Sequence, residues 1–108
     1  MLARVILKLI GKGMIFSING NNYTFRRHVP DQEPYERRDP HIGWARLDGE
    51  SKPRPLLINR LRTPKGNVSR RVSIQHSDGS WYYRDDEGLR ELALASTADR
   101  PLGFTTVA

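Results

Sequence analysis

The sequence predicts an α+β domain that is mainly β, a twisted antiparallel sheet or small barrel of about six strands with one short C-terminal helix. Two observations predict this class. Short segments that alternate between polar and apolar residues are separated by frequent Gly, Pro and Asn turn signals, and a single helical repeat of apolar residues comes after position 85. The chain of 108 residues fits a single domain, 1–108, with a modest core because only 37% of its residues are apolar.

The first predicted element is a β-hairpin. Residues 14–18 form a short apolar strand, and residues 22–26 alternate with Tyr23 and Phe25 on one face. Asn19-Gly20 lies between the two segments and readily adopts the positive φ angles of a two-residue turn. The preceding segment, residues 2–10, fits either a helix or a strand, and the pattern does not decide between them.

A long charged, proline-rich surface loop is predicted over residues 28–40. Three prolines lie within it, and proline cannot donate to a β-ladder and disfavours helix at the residue before it. Loops of this length are often either functional or disordered, and the sequence does not decide between a binding loop and a loop without a role.

The rest of the chain is predicted to contain further short strands and the helix. The strands cover residues 41–48, 55–62, 68–76 and 81–83, with a terminal strand at 104–107. Asp78-Gly79 predicts a second tight hairpin turn. Asp85 or Asp86 is expected to cap a helix that ends near Ser96, because Leu89 begins an i, i+3, i+4 apolar repeat there. The residues predicted to supply much of the core are Trp44, Leu57, Val72, Ile74, Trp81, Tyr83, Leu89 and Leu92.

Charge is distributed in blocks along the chain, although the net charge is +6. Residues 1–27 carry five basic and no acidic side chains, and residues 51–77 carry seven basic and no acidic ones. Residues 28–50 and 78–108 each have an excess of three acids. This pattern favours an anionic partner, and it also allows pairing between basic and acidic blocks within the chain.

The strongest candidate for a binding site is the predicted hairpin over residues 55–76. Arg60 and Arg62 lie two apart and therefore share one face of a strand, Lys65 is at the turn, and Arg70 comes on the next strand. Two-stranded ribbons fit the major groove, and arginine forks match phosphates and guanine edges. The residues predicted to contact nucleic acid are Arg54, Arg60, Arg62, Lys65, Arg70 and Arg71, with Tyr82 as a possible stacking residue. The function this predicts is a non-enzymatic protein that binds DNA or RNA.

The alternative is a protein-interaction module, such as a small inhibitor or adaptor. It would use the loop over residues 28–40 or an exposed strand edge, and the hairpin arginines would then pair with the acidic blocks. A homodimer is compatible with either interpretation.

A third interpretation rests on residues 42–58. There, Glu50 lies in a loop before Arg54-Pro55 and the apolar residues 56–58. This arrangement resembles the early strands of MazF-type toxins, which are small basic barrels that cleave RNA. The resemblance implies an SH3-like barrel as a possible shape, and RNA cleavage as a third function.

The sequence predicts no catalytic residue and no cofactor. The histidines His28, His41 and His76 lack the spacing of a metal site, and the chain contains no cysteine. Glu36, His76 and Arg71 could supply the base, acid and cation that RNA cleavage needs, but any chain of this composition offers such a trio.

The expected location is the cytoplasm, without membrane attachment. No apolar run approaches the length of a membrane span, and Arg4 and Lys8 interrupt the apolar N-terminal segment where a signal peptide would be continuous.

Overall fold

Seven strands close into a barrel, and one helix lies between the sixth and seventh strands in sequence. A computed structural model describes residues 13–28 and 41–107. The strands are β1 (Gly13–Ile18), β2 (Asn21–Arg27), β3 (His41–Leu47), β4 (Arg54–Arg62), β5 (Val68–Gln75), β6 (Trp81–Asp85) and β7 (Leu102–Thr106), and the helix is α1 (Glu87–Ala95). Around the barrel the order is β1-β2-β6-β5-β4-β3-β7. The predicted fold class is confirmed, and the terminal strand predicted at 104–107 corresponds to β7, the seventh strand of the barrel.

Strand β7 closes the barrel between the first hairpin and β3. It runs antiparallel to β1, with Phe16 opposite Thr106, and parallel to β3, with Leu47 opposite Phe104. Each of the seven described strands therefore has a neighbour on both sides.

Both predicted hairpin turns are confirmed. Asn19 and Gly20 have φ angles of 53° and 83° between β1 and β2, as a two-residue turn with positive φ at both positions requires. The turn between β5 and β6 closes with the His76 amide donating to the Ser80 carbonyl at 2.8 Å, and Gly79 there has a φ of 93°.

The core fills the barrel interior. Its centre is the aromatic group Phe16, Phe25 and Phe104, whose rings meet edge to face with centroids 5.2, 5.3 and 5.8 Å apart. The other buried members of this cluster are Ile18, Ala45, Leu47, Leu56, Ile58, Val72, Ile74, Tyr82, Leu89 and Ala93.

The predicted orientation of β3 is wrong. Gly43, Ala45 and Leu47 are buried, whereas Trp44 is half-buried and Ile42 is 59% exposed. The strand has large apolar side chains on its outer face and small residues on much of its inner face. Hydrophobic alternation alone therefore selects the wrong face.

The same inversion occurs on two further strands. Leu57 on β4 is half-buried between two buried neighbours, and Trp81 and Tyr83 on β6 are half-buried on either side of the buried Tyr82. Both strands carry apolar residues at successive positions, so period-2 patterning leaves their orientation open.

On the helix, Leu92 is partly exposed instead of buried. The predicted core residues that are fully buried are Val72, Ile74 and Leu89.

Helix α1 begins and ends where the sequence predicts. The Asp86 side chain accepts a hydrogen bond from the Leu89 amide at 3.0 Å and caps the N-terminus, and Ser96 caps the C-terminus. The helix packs against β3, β4 and β5 and contributes Leu89 and Ala93 to the core.

Two predicted features lie outside the described residues, namely the segment 2–10 and positions 29–40 of the predicted loop. In the part of the chain that the structure describes, no helix has the length and hydropathy needed to cross a membrane.

Candidate nucleic-acid interface on the β4–β5 hairpin

The β4–β5 hairpin forms a two-stranded ribbon at its turn end. Pairing of β4 with β3 ends at Ile58 opposite His41, and pairing of β5 with β6 begins at Arg71 opposite Asp85. Residues 59–70 thus continue the hairpin beyond the described pairings with both neighbouring strands.

The turn of the ribbon covers residues 63–67, where the sequence predicts Lys65 to lie at a turn. The Thr63 amide donates to the Asn67 carbonyl at 2.8 Å, and the Gly66 amide donates to the Thr63 carbonyl at 2.9 Å. Gly66 has a φ of 85°, which glycine adopts without steric cost. Lys65 is exposed at this turn.

Three arginines share one face of the ribbon. Arg60 lies directly opposite Arg70, and Arg62 lies two positions further along β4. Since side chains alternate between faces along a strand, these guanidinium groups project on the same side. The residues on the other face are Asn59, Leu61, Ser69 and Arg71, all of them buried.

In the described part of the chain, the carboxylate that contacts guanidinium groups on this side of the ribbon is that of Glu87. Glu87, the first residue of α1, forms an ion pair with the Arg70 Nε, and its Oε1 is 3.9 Å from the Arg60 Nη2. The side chains of Arg60, Arg70 and Glu87 are 57%, 42% and 47% exposed. Arg62 donates instead to the Gly66 carbonyl at 3.2 Å.

We define the basic face as Arg60, Arg62, Lys65 and Arg70. Among the described residues, Glu87 is its only carboxylate partner. Two of its four basic side chains, Arg60 and Arg70, share that one carboxylate partner.

Arg71 lies away from the basic face. It is only 6% exposed, its Nε is 3.1 Å from the Asp85 carboxylate, and its guanidinium lies 3.9 Å from the ring centroid of Tyr83. An ion pair and a cation–π contact thus hold this arginine against the sheet.

Arg54 is at the opposite end of β4 and is also engaged with an acid. Its Nε is 2.8 and 2.7 Å from the two carboxylate oxygens of Glu50, and Glu50 also accepts a hydrogen bond from Ser77 at 2.6 Å. These hydrogen bonds, that from Arg54 first, hold the pKa of the Glu50 carboxyl below its ordinary value. The cluster connects the β3–β4 loop to the β5–β6 turn.

Tyr82, the predicted stacking residue, belongs to the core. Its side chain is 6% exposed and packs edge to face against Phe16, with ring centroids 6.4 Å apart. The ring is therefore not on a surface where a base could stack.

The candidate residues for RNA cleavage do not form a described site. Glu36 lies outside the described residues. His76 and Arg71 are five positions apart along one nearly continuous strand, a separation of roughly 17 Å at the usual rise per residue. Within residues 13–28 and 41–107, no group of three or more His, Asp or Glu side chains is placed to hold a metal ion.

The sequence does not predict that Glu87 is the residue that pairs with Arg60 and Arg70. The charge pattern indicates pairing between the hairpin and an acidic block as a whole, and it does not single this residue out. Its position directly after the helix cap at Asp86 is the available signal, because the cap fixes where the first helical side chain points.

Comparison with protein-family models, curated proteins and solved structures found no match. The function of the chain is therefore inferred from its own geometry.

Proposed function

We propose that the chain binds nucleic acid through the basic face of the β4–β5 hairpin. The observation that carries the proposal is the register: Arg60 opposite Arg70, with Arg62 two positions along, places three guanidinium groups on one exposed side. Lys65 adds a fourth positive charge at the turn. Guanidinium groups match the geometry of phosphates, and phosphate contacts supply most of non-specific affinity for nucleic acid.

The ion pairs with Glu87 do not remove the charge of this face. Ion pairs between exposed side chains are typically worth about 0–1 kcal/mol, so a phosphate can compete for these arginines. Glu87 also supplies a single negative charge, whereas the basic face carries four positive ones.

The proposed surface is smaller than the one the sequence suggests. Arg71 is buried against Asp85, and Arg54 is held by both carboxylate oxygens of Glu50. These two arginines fit the alternative interpretation, in which basic side chains pair within the chain, and they are left out of the proposed contact set.

The first test removes two arginines from the basic face. Binding of a labelled duplex and of a labelled single strand is measured for the wild type and for R60A/R62A. We expect the affinity of the double variant to fall by about tenfold or more, because it loses two phosphate contacts, each worth about 1 kcal/mol or more. Its melting temperature should stay close to that of the wild type, since exposed arginines contribute little to stability.

The matched control is R46A/R100A, which removes the same charge elsewhere. Both arginines are exposed, and Arg46 is near the opposite end of the barrel from the hairpin turn because Ala45 pairs with Arg54. The proposal predicts a much smaller loss of affinity for this variant. An unchanged affinity of R60A/R62A together with a lowered melting temperature would show that the arginines act only within the chain.

A second candidate function is self-association through the outer face of β3 and β4. Ile42 lies opposite Leu57, and Trp44 lies opposite Pro55, so four apolar side chains form one patch. Ile42 is 59% exposed. Exposed apolar patches mark interaction sites, and a second copy of this chain would cover this one with an equally apolar surface.

Sedimentation equilibrium tests the second candidate directly. We expect the wild type to form dimers as its concentration rises, and I42E to remain monomeric because a carboxylate would be buried at the contact. A wild type that stays monomeric over the whole concentration range would exclude this function.

A further inference from the structure

Glu87 occupies a particular position on the basic face. Its carboxylate faces Arg60 on β4 and Arg70 on β5, which lie opposite each other across the ribbon. One carboxylate therefore contacts both strands of the hairpin through two guanidinium groups.

This arrangement is the one a phosphate group would adopt. A phosphate, like a carboxylate, accepts hydrogen bonds from more than one guanidinium group, and Arg60 and Arg70 offer theirs from the same side of the ribbon. The same end of α1 carries the positive part of the helix dipole, which favours an anion there in addition to the arginines.

We propose that Glu87 is an internal competitor of nucleic-acid phosphate, which a bound phosphate displaces from Arg60 and Arg70. The inference rests on the proposed function of the basic face. It assigns to Glu87 the role of lowering the affinity of that face for nucleic acid.

The exposure of the three side chains makes the exchange physically feasible. Each is between two-fifths and three-fifths exposed, so a phosphate can approach the guanidinium groups from water and Glu87 can rotate away from them. By contrast, Arg71 is only 6% exposed beside Asp85 and offers no comparable access to a phosphate.

The test replaces Glu87 with a neutral side chain of the same shape. We expect E87Q to bind a labelled duplex about three- to tenfold more tightly than the wild type, because the arginines no longer have to release a carboxylate. The matched control is E91Q, which makes the same change in charge on the same helix. Glu91 is 61% exposed and its contact is with Arg90, so its removal should raise the affinity much less.

A second comparison separates direct competition from a general effect of charge. The variant R60A/R70A lacks both arginines that Glu87 contacts. When E87Q and E91Q are each added to R60A/R70A and duplex binding is measured at low salt, the E87Q variant should bind no more tightly than the E91Q variant. An equal gain for E87Q and E91Q in the wild-type background would contradict the inference. The inference would also be contradicted if E87Q still raised the duplex affinity more than E91Q does when both are made in R60A/R70A.

These outcomes are distinguishable from failure of the proposed function. If R60A/R62A binds nucleic acid as tightly as the wild type does, the basic face is not the binding surface. Both the proposed function and the proposed role of Glu87 are then wrong. If R60A/R62A loses affinity while E87Q and E91Q change the duplex affinity equally, the basic face is the binding surface and only the proposed role of Glu87 is wrong. Melting temperatures of all variants report whether the fold is retained.

Discussion

At the scale of single residues, Gly43 shows how closely α1 approaches the barrel. A Cβ atom at this position would lie against the Ala93 carbonyl oxygen, 2.8 Å from the Ser96 Oγ and 2.9 Å from the Ile58 Cδ1. Two of these three contacts come from the end of the helix and the residue after it. Only a residue without a side chain therefore lets the helix reach the core.

The variant G43A should consequently be less stable than the wild type, by about 1–3 kcal/mol, because the helix or Ile58 must move. G103A is the control, since a Cβ at Gly103 on the adjacent strand β7 would meet nothing within 4 Å. Urea unfolding of both variants measures the difference. Equal stability of G43A and G103A would show that the helix adjusts freely.

A second prediction at this scale concerns the ion pair of Glu50. The hydrogen bond from Arg54 lowers the pKa of this carboxyl from its ordinary value of 4.5. A carboxyl whose pKa is lowered in the folded state stabilises the fold when the pH is above its pKa in the unfolded state. This contribution is lost as the pH falls through the pKa of the folded state. The wild type should therefore have a higher free energy of unfolding than E50Q at neutral pH, with the difference shrinking below about pH 4.5.

Unfolding curves of the wild type, E50Q and R54M at pH 7 and pH 3 measure this effect. R54M removes the largest cause of the lowered Glu50 pKa. It should therefore make the free energy of unfolding less dependent on pH, as E50Q does. A difference from the wild type that stays constant over this range for both variants would contradict the assignment.

At the scale of elements, local signals in the sequence are sufficient to predict the turns and the helix. Asn19-Gly20 and Asp78-Gly79 fix hairpin turns through the φ angles they allow, and the Asp86 cap fixes where α1 begins. The inward face of β3 could not be predicted in this way. It depends on the long-range approach of α1 to Gly43, which no local pattern encodes.

The connection between α1 and β3 gives the prediction at this scale. The Ser96 Oγ accepts a hydrogen bond from the Trp44 amide at 2.8 Å and donates to the Ala93 carbonyl at 2.6 Å. S96A would leave a partly buried amide without its partner and should cost about 1–3 kcal/mol of stability. T97A is the control, because the Thr97 hydroxyl accepts from the exposed Arg100 amide.

Thermal unfolding compares these two variants. The melting temperature of S96A should fall clearly below that of T97A. Similar melting temperatures would mean that water replaces the hydroxyl at the Trp44 amide.

At the scale of the whole molecule, the block pattern of charge predicts a basic hairpin, and the structure separates its arginines into two groups. The sequence alone places Arg60 and Arg62 on one face of the hairpin through strand alternation, but it does not decide which of Arg70 and Arg71 joins them, because that depends on the register between β4 and β5. It could not show that Arg54 and Arg71 are engaged by acids, since those partners depend on which strands and loops become neighbours in the closed barrel.

The most direct test of the central claim is the salt dependence of duplex binding by the wild type, R60A/R62A and R46A/R100A. For duplex DNA, the slope of log K against log salt concentration changes by about 0.9 for each phosphate contact. If the basic face binds phosphates, R60A/R62A should have a slope flatter by about two units, while R46A/R100A should keep the slope of the wild type. A slope for R60A/R62A equal to that of the wild type would contradict the claim that this face binds nucleic acid.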